Sequence, residues 1–251
     1  FMRNSAAELK DKSLALQLRV TTMETEATVT VEFTNGKKDS FTIQKGEVRT
    51  YSIEEDERAY AYATTEQVAE EKGVHVYANR PISVYACNYM HETYDATLVL
   101  PTVALGNEYV LQTYSEDAFA TEFSVVATHD DTKLYITPSQ LTTGGNAADE
   151  TFSIILDKGE VYSVRSKEPK DFSGSKILSE QHPVAVFSGN VYAAIPEVPG
   201  ASMDHIFEQS VPLRYWGQKF AVTAAEHSNY NIFRVTAVYD NTIVTVNGEE
   251  K

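Results

Sequence analysis

The sequence predicts an all-β chain of tandem antiparallel β-sandwiches, jelly-roll or immunoglobulin-like, repeating every stretch of about 110 residues. Three observations predict it. Apolar residues alternate with polar ones along almost every segment, which is the period of a half-buried strand. Val, Thr, Tyr and Phe fill these runs, and their branched or flat side chains suit a pleated surface. The chain also resembles itself at a near-constant interval, with turn residues falling between the runs.

The elements follow in order. Leu14, Leu16, Leu18 and Val20 mark a first strand, and Val29, Val31 and Phe33 a second. Asn35-Gly36 then separates Phe33 from a strand through Phe41 and Ile43, a hairpin signal because both turn residues tolerate positive φ. Residues 65–72 form the one helix candidate, with Thr64 and Gln67 in capping-box relation and Gly73 as a stop. Pro81 opens an apolar run through Val84 and Tyr85, and Pro183 opens another through Val186 and Phe187. Such runs predict central strands, where an initial proline is tolerated. Gly144-Gly145-Asn146 marks a loop inside a hairpin. Asp130-Asp131 and Asp240-Asn241 mark turns where short polar side chains bond their own backbone.

Three blocks carry the repeat. Lys45-Gly46-Glu47-Val48 returns as Lys158-Gly159-Glu160-Val161. Pro81-Ile82-Ser83-Val84-Tyr85 with Asn88 returns as Pro183-Val184-Ala185-Val186-Phe187 with Asn190, each after a glycine-led strand from Gly73 or Gly174. Pro101, Gly106 and Tyr109 return as Pro212, Gly217 and Phe220. Near the end, the run from Phe233 to Thr242 matches that from Phe123 to Thr132. The expected units are therefore 1–107, 108–218 and the start of an incomplete third at 219–251. The interval drifts between 102 residues (Pro81 to Pro183) and 113 residues (Lys45 to Lys158), as expected of loops that vary on a common strand frame.

Composition excludes several classes. With 36 acidic against 21 basic side chains, the net charge of −15 repels a phosphate backbone, so nucleic acid is not an expected partner. Cys87 is the only cysteine, so no disulfide framework exists, and its apolar neighbours suit a small buried filler. No apolar stretch reaches the roughly 18 residues needed to cross a bilayer, and no signal segment opens the sequence. The chain begins at Phe1-Met2 and stops just after the turn dipeptide Asn247-Gly248, and so reads as a piece of a longer polypeptide.

The sequence carries no spacing that marks catalytic or cofactor chemistry. His75, His91, His129, His182, His205 and His227 share no zinc-ligand spacing with a second ligand. No phosphate loop, nucleophile elbow or Walker-type lysine occurs. The dipeptide Asp204-His205 invites a catalytic reading, but adjacent side chains of an extended segment point to opposite faces, so this Asp cannot orient this His. A polar loop pinned against the second sandwich is the expected role. Trp216 stands where the first unit has Leu105, which predicts a core residue.

These residues resemble one known family, the N-terminal domain of the IgGFc-binding proteins, found in mucin-associated animal proteins and in secreted or surface proteins of Bacteroidetes-like bacteria. The segments that carry the resemblance are Phe1-Met2-Arg3-Asn4-Ser5, Pro81 to Tyr85 with Asn88, Asp95 to Pro101 with Leu105-Gly106, and Ile136 to Ser139. Pro183 to Asn190 also matches, as does Asp204-His205-Ile206-Phe207-Glu208-Gln209 running on to Pro212, Trp216-Gly217 and Phe220. The motif candidates are accordingly Asn88, Asn190, Asp204, His205, Glu208, Gln209 and Trp216. Animal members have a cysteine before the Asp-His pair where this chain has Met203, which favours the bacterial branch.

The resemblance implies a non-catalytic adhesion or binding role in the extracellular space or on the cell surface. The expected partner is a host or surface protein, such as immunoglobulin Fc or mucin, or a glycan, with no cofactor. Two alternatives come from the residues themselves. One is a carbohydrate-binding module using tyrosine-rich loops at Tyr85, Tyr89 and Tyr94. The other is a ligand-free spacer of a surface stalk.

Overall fold

A computed structural model describes residues 1–4, 9–115, 119–196, 200–223 and 231–250. Ser5 of the amino-terminal motif and His227 lie outside the described residues. The chain divides into two compact units, Phe1–Trp216 and Gly217–Lys251.

The described residues of the first unit form sixteen strands: β1 (Ala15–Thr21), β2 (Ala27–Phe33), β3 (Lys38–Ile43), β4 (Val48–Ile53), β5 (Ala69–Glu71), β6 (Val74–Ala78), β7 (Ser83–Met90), β8 (Thr93–Val99), β9 (Glu108–Val110), β10 (Thr121–Ala127), β11 (Thr132–Thr137), β12 (Phe152–Leu156), β13 (Glu160–Arg165), β14 (Lys176–Ser179), β15 (Val184–Ala193) and β16 (Asp204–Gln209). They form two sandwiches. In the first, a sheet ordered β4-β1-β7-β8 faces one ordered β3-β2-β6. In the second, β16-β15-β10-β13-β5 faces β12-β11-β14-β9. With β5 and β9 set aside the two strand orders are the same, and all pairings within them are antiparallel. The all-β sandwich class read from the alternation is the observed one.

The alternation does its expected work. Leu16, Leu18 and Val20 of β1 and Val29, Val31 and Phe33 of β2 turn into one core, while Phe123 and Val125 of β10 and Leu134 and Ile136 of β11 turn into the other. Each of these side chains, removed from water, contributes about 1.5–3 kcal/mol. The repeated Lys-Gly-Glu-Val block is a turn with a physical cause. Gly46 and Gly159 take φ of 75° and 86°, and the following glutamates reach back, Glu47 Oε2 accepting from Gln44 N at 2.8 Å and Glu160 Oε2 from Asp157 N at 2.7 Å. The Pro-led runs are central strands: β7 lies between β1 and β8, and β15 between β10 and β16.

The helix expected over 65–72 does not form. Gln67 takes a positive φ of 57°, and Ala69–Glu71 is strand β5, paired with Glu160–Tyr162 of β13 in the second sandwich. A helix there would have had little to bury, since Val68 is its only large apolar residue and is 51% exposed even now. The capping groups are used otherwise. Thr64 and Thr65 donate through backbone and hydroxyl to the Glu70 carboxylate, and Gln67 bonds Asn146 and Gly144.

In the second unit, β17 (Thr245–Val246) and β18 (Glu249–Glu250) form a hairpin around Asn247 and Gly248, with φ of 53° and 88°. Residues 231–238, which match β10 in sequence, form no strand among the described residues and leave Phe233 55% and Val235 67% exposed.

Sandwich junction and an exposed tyrosine face

Most of the motif residues meet at one place, the junction of the two sandwiches. β16 is hydrogen-bonded to β15 of the second sandwich, yet its inward row, His205, Phe207 and Gln209, packs toward the first. Phe207, 2% exposed, belongs to the first core and stacks on Phe187 and Phe1 at 5.5 and 6.1 Å. The segment expected to be a polar loop is therefore a strand, because a six-residue alternating run beside the free side of β15 gains a full ladder by extending.

Side chains on β8 and β16 clasp each other's backbones. Asp204 Oδ1 accepts from Tyr94 N at 2.6 Å, and Asp95 Oδ2 accepts from Phe207 N at 2.7 Å. Gln209 Oε1 accepts from Leu100 N at 2.7 Å, while Thr97 Oγ1 accepts from Gln209 N at 2.8 Å and donates to Glu208 Oε1 at 3.1 Å. Asp204, Asp95, Thr97 and Gln209 thus satisfy strand-edge groups that would otherwise be stranded in the junction, and Glu208 holds the Thr97 hydroxyl.

Beneath the clasp lies a buried polar chain. Asn88 and Asn190 occupy equivalent places on β7 and β15, both wholly buried, and His205 lies between them, 2% exposed. Asn88 Nδ2 donates to Met2 O at 2.9 Å and lies 3.3 Å from His205 Nε2, and His205 Nδ1 is 3.1 Å from Asn190 O. This geometry fits a neutral imidazole protonated at Nδ1. Burial holds its pKa down at about 4, against the smaller raising effects of the Asn190 and Val191 backbone and Asp204. Asn190 Nδ2 donates to Tyr114 O and Phe119 O, and Asn4 Nδ2 reaches Asn88 while its Oδ1 accepts from Thr93. Asn88→Ala is expected to lower the unfolding free energy by about 2–3 kcal/mol, because it strands the Met2 carbonyl and one imidazole nitrogen. Urea denaturation with an unchanged slope checks this.

Asp204 is exposed and bonded to backbone amides, its carboxylate turned away from the ring of His205. Trp216 is not a core residue: it is half-buried beside the turn Leu213–Tyr215, donating from Nε1 to Val211 O at 3.0 Å. Its counterpart Leu105 is 3% exposed because Gly106 bridges onward to Val184 of the second sandwich. Close approach is also built into Gly106, where an added Cβ would lie 2.5 Å from Pro212 Cβ.

A second feature escapes motif reading. Tyr85, Tyr89 and Tyr94 are on strands β7 and β8 rather than in loops, and they share the outer face of the β4-β1-β7-β8 sheet at 45%, 43% and 40% exposure. Leu98 and Val48 lie on the same face, 42% and 64% exposed. Cys87 is buried, as its apolar surroundings predict, but on this outer side, below the tyrosines, where Tyr94 hydrogen-bonds it. Arg19, Thr21, Val48, Tyr85, Tyr94, Cys87 and Ala96 enclose a shallow depression of about 240 Å³. The register places no carboxylate among the outward strand positions and a single cation, Arg19, although charged residues make up 23% of the chain. Arg19 forms no ion pair or hydrogen bond among the described residues. Depletion of charge with enrichment of Tyr and Arg is the composition of an interface centre. The signal was present as Tyr85, Cys87 and Tyr89 at period two, on the side opposite Val84 and Ala86.

Comparison with known proteins places these features. The sequence model of a family described as IgGFc binding protein matches residues 95–251. An IgGFc-binding protein of Homo sapiens is 31% identical over 168 residues, covering 64% of this chain and 3% of the human protein's own length. The chain thus spans a small fraction of that relative. No solved structure matches it.

Proposed function

Since the chain belongs to the IgGFc binding protein family, we propose that it is a non-catalytic binding module of a secreted or cell-surface protein, with a protein partner such as immunoglobulin Fc or a mucin. The single observation that carries this reading is the use made of the family's motif. Asn88, Asn190, Asp204, His205, Glu208 and Gln209 are consumed in joining two sandwiches, by bonds to backbone and to one another. They act as a frame, and frames of this kind present loops and faces to partners. The shared strand order supports units near 1–107 and 108–218, with 219–251 the beginning of a third.

The test is capture of Fc fragment and of purified mucin on the immobilised chain. Saturable retention of either is expected. It should be lost on unfolding and unaffected by Asp204→Asn combined with His205→Gln in a chain that stays folded. Failure to retain Fc, mucin or any serum protein above an inert β-sandwich control removes the reading.

A further inference from the structure

The outer face of the first sandwich has a structural twin, and the twin is covered. On the second sandwich Glu122, Ser124 and Ser163 are 6%, 4% and 9% exposed, because the loop that carries β5 settles on them and Gln67 N donates to Ser163 O at 2.7 Å. Strand register puts Gln17, Arg19 and Thr50 in the same three places on the first sandwich, beside the exposed Tyr85. Long side chains stand where the twin has two serines, and the face is open to solvent. Its outward groups fall in rows across the sheet. Thr50, Arg19, Tyr85 and Leu98 make one row, Ser52, Gln17, Cys87 and Ala96 the next, and Tyr89 and Tyr94 a third. Rows lie about 7 Å apart, two residues of extended strand. Cys87 and Ala96 are small, so a trough one row wide is left between Tyr85 and the Tyr89–Tyr94 pair. This is the depression of about 240 Å³. Its hydrogen bond to Cys87 draws Tyr94 down over the floor of the trough, with its ring still 40% exposed. At the β1–β4 end the chemistry changes. Arg19, Gln17, Thr50 and Ser52 offer a guanidinium, an amide and two hydroxyls, and none of these side chains has an ion pair or hydrogen bond among the described residues.

We propose that this trough binds the end of a glycan whose terminal ring carries a carboxylate. The ring's C–H face, made positive by the oxygens around it, stacks on the negative faces of Tyr85 and Tyr94. The carboxylate pairs with Arg19, whose planar fork of donors suits that group. The sugar hydroxyls reach Gln17 and Thr50. Three observations select this occupant. Size is the first: pockets for drug-sized ligands start near roughly 300 Å³, so this depression fits one ring and not a folded segment. Charge is the second. Arg19 is the single charge among the outward strand positions, so it matches one carboxylate, while a net charge of −15 repels a strongly acidic protein surface. At physiological salt that overall repulsion is screened beyond about 8 Å, which leaves Arg19 to act locally on a small ligand. Composition is the third: an aromatic floor that ends in free amide and hydroxyl groups matches a ring with one apolar face and a polar rim, where an acidic peptide side chain would leave the amide and hydroxyls unmatched. The inference stands apart from the Fc or mucin reading. Free glycans test it without a protein partner, and failure of either leaves the other standing.

The test is an array of glycans ending in sialic acid, in glucuronate or in a neutral sugar, probed with the chain tetramerised on streptavidin so that weak single-ring contacts are read. Circular dichroism confirms that each variant is folded. Retention of an acid-ended glycan at least tenfold above its neutral counterpart is expected. Tyr85→Ala, at an exposed position, should abolish it, and Arg19→Gln should leave acid-ended and neutral glycans bound alike. An array on which no acid-ended glycan is retained overturns the proposal, as does a preference for the acid that Arg19→Gln leaves unchanged. Displacement of the bound glycan by a glutamate-rich peptide at equal concentration would assign the face to acidic peptides instead.

Discussion

Gly189→Ala is expected to cost about 4 kcal/mol or more, enough to unfold the chain or to release β16 from the second sandwich. A methyl placed on Gly189 would lie 1.8 Å from the Ile206 carbonyl oxygen and 2.6 Å from its carbon, both backbone atoms of the paired strand. No rotamer change relieves such a contact, so β16 must move away from β15. That movement withdraws His205, Phe207 and Gln209 from the junction together. The equivalent position of the first sandwich is Cys87, so the second copy uses glycine where the first tolerates a side chain. Urea denaturation compared with Gly217→Ala, whose added methyl would meet only Phe220 at 3.6 Å, separates this clash from a general cost of losing glycine. A loss below about 1 kcal/mol would show that β16 does not lie on Gly189 as described.

The contrast between Gly189 and Cys87 also shows where sequence reading succeeds and stops. Period-two runs located both cores, because alternation is enforced residue by residue by the pleat and needs no knowledge of partners. Equivalent strands must bury equivalent faces, which is the physical reason that the two sandwiches share one strand order. Three readings failed where the deciding partner is distant in sequence. Residues 65–72 carry local helix signals, but strand β5 is selected by β13, about 90 residues away. Asp204-His205 looks like a polar loop until β8 and β15 are brought to either side of it. Trp216 inherits burial from its alignment with Leu105, yet the bridge that buries Leu105 runs through Gly106 and Val184. The tyrosine face was legible as three residues and not as a surface, because only the register of β1, β4, β7 and β8 shows that Arg19 is its sole charge.

Buried Glu122 and His205 give the fold pH dependences of opposite sign. Glu122 is buried, and its register partner Arg165 is drawn to Glu66 at 2.6 Å, leaving Glu122 Oε1 with no hydrogen-bond partner among the described residues. Burial, opposed first by Arg165, pushes its pKa up from 4.5 to about 8, with Glu66, Arg3 and the Phe1 amino group also facing it. The folded state therefore holds a proton that the unfolded chain releases above pH 4.5. Stability from this group is complete below that pH and is lost as pH rises through about 8, a difference of about 5 kcal/mol. Glu122→Gln removes the ionisation and keeps the shape. Its advantage over the parent chain should be near zero at pH 4.5, about 3 kcal/mol at pH 7, and greatest above pH 8. His205 behaves oppositely, because burial lowers its pKa from 6.5 to about 4. The unfolded state takes up the proton first, so stability falls as pH drops from 6.5 to 4, by about 3 kcal/mol. His205→Gln should flatten that acid limb relative to the parent and leave the alkaline limb unchanged. Denaturation midpoints for the three chains from pH 4 to 9 decide the matter. A Glu122→Gln advantage that does not grow with pH would mean that water or Arg165 already compensates the buried carboxylate, and that the second sandwich's covered face is wetter than its packing implies.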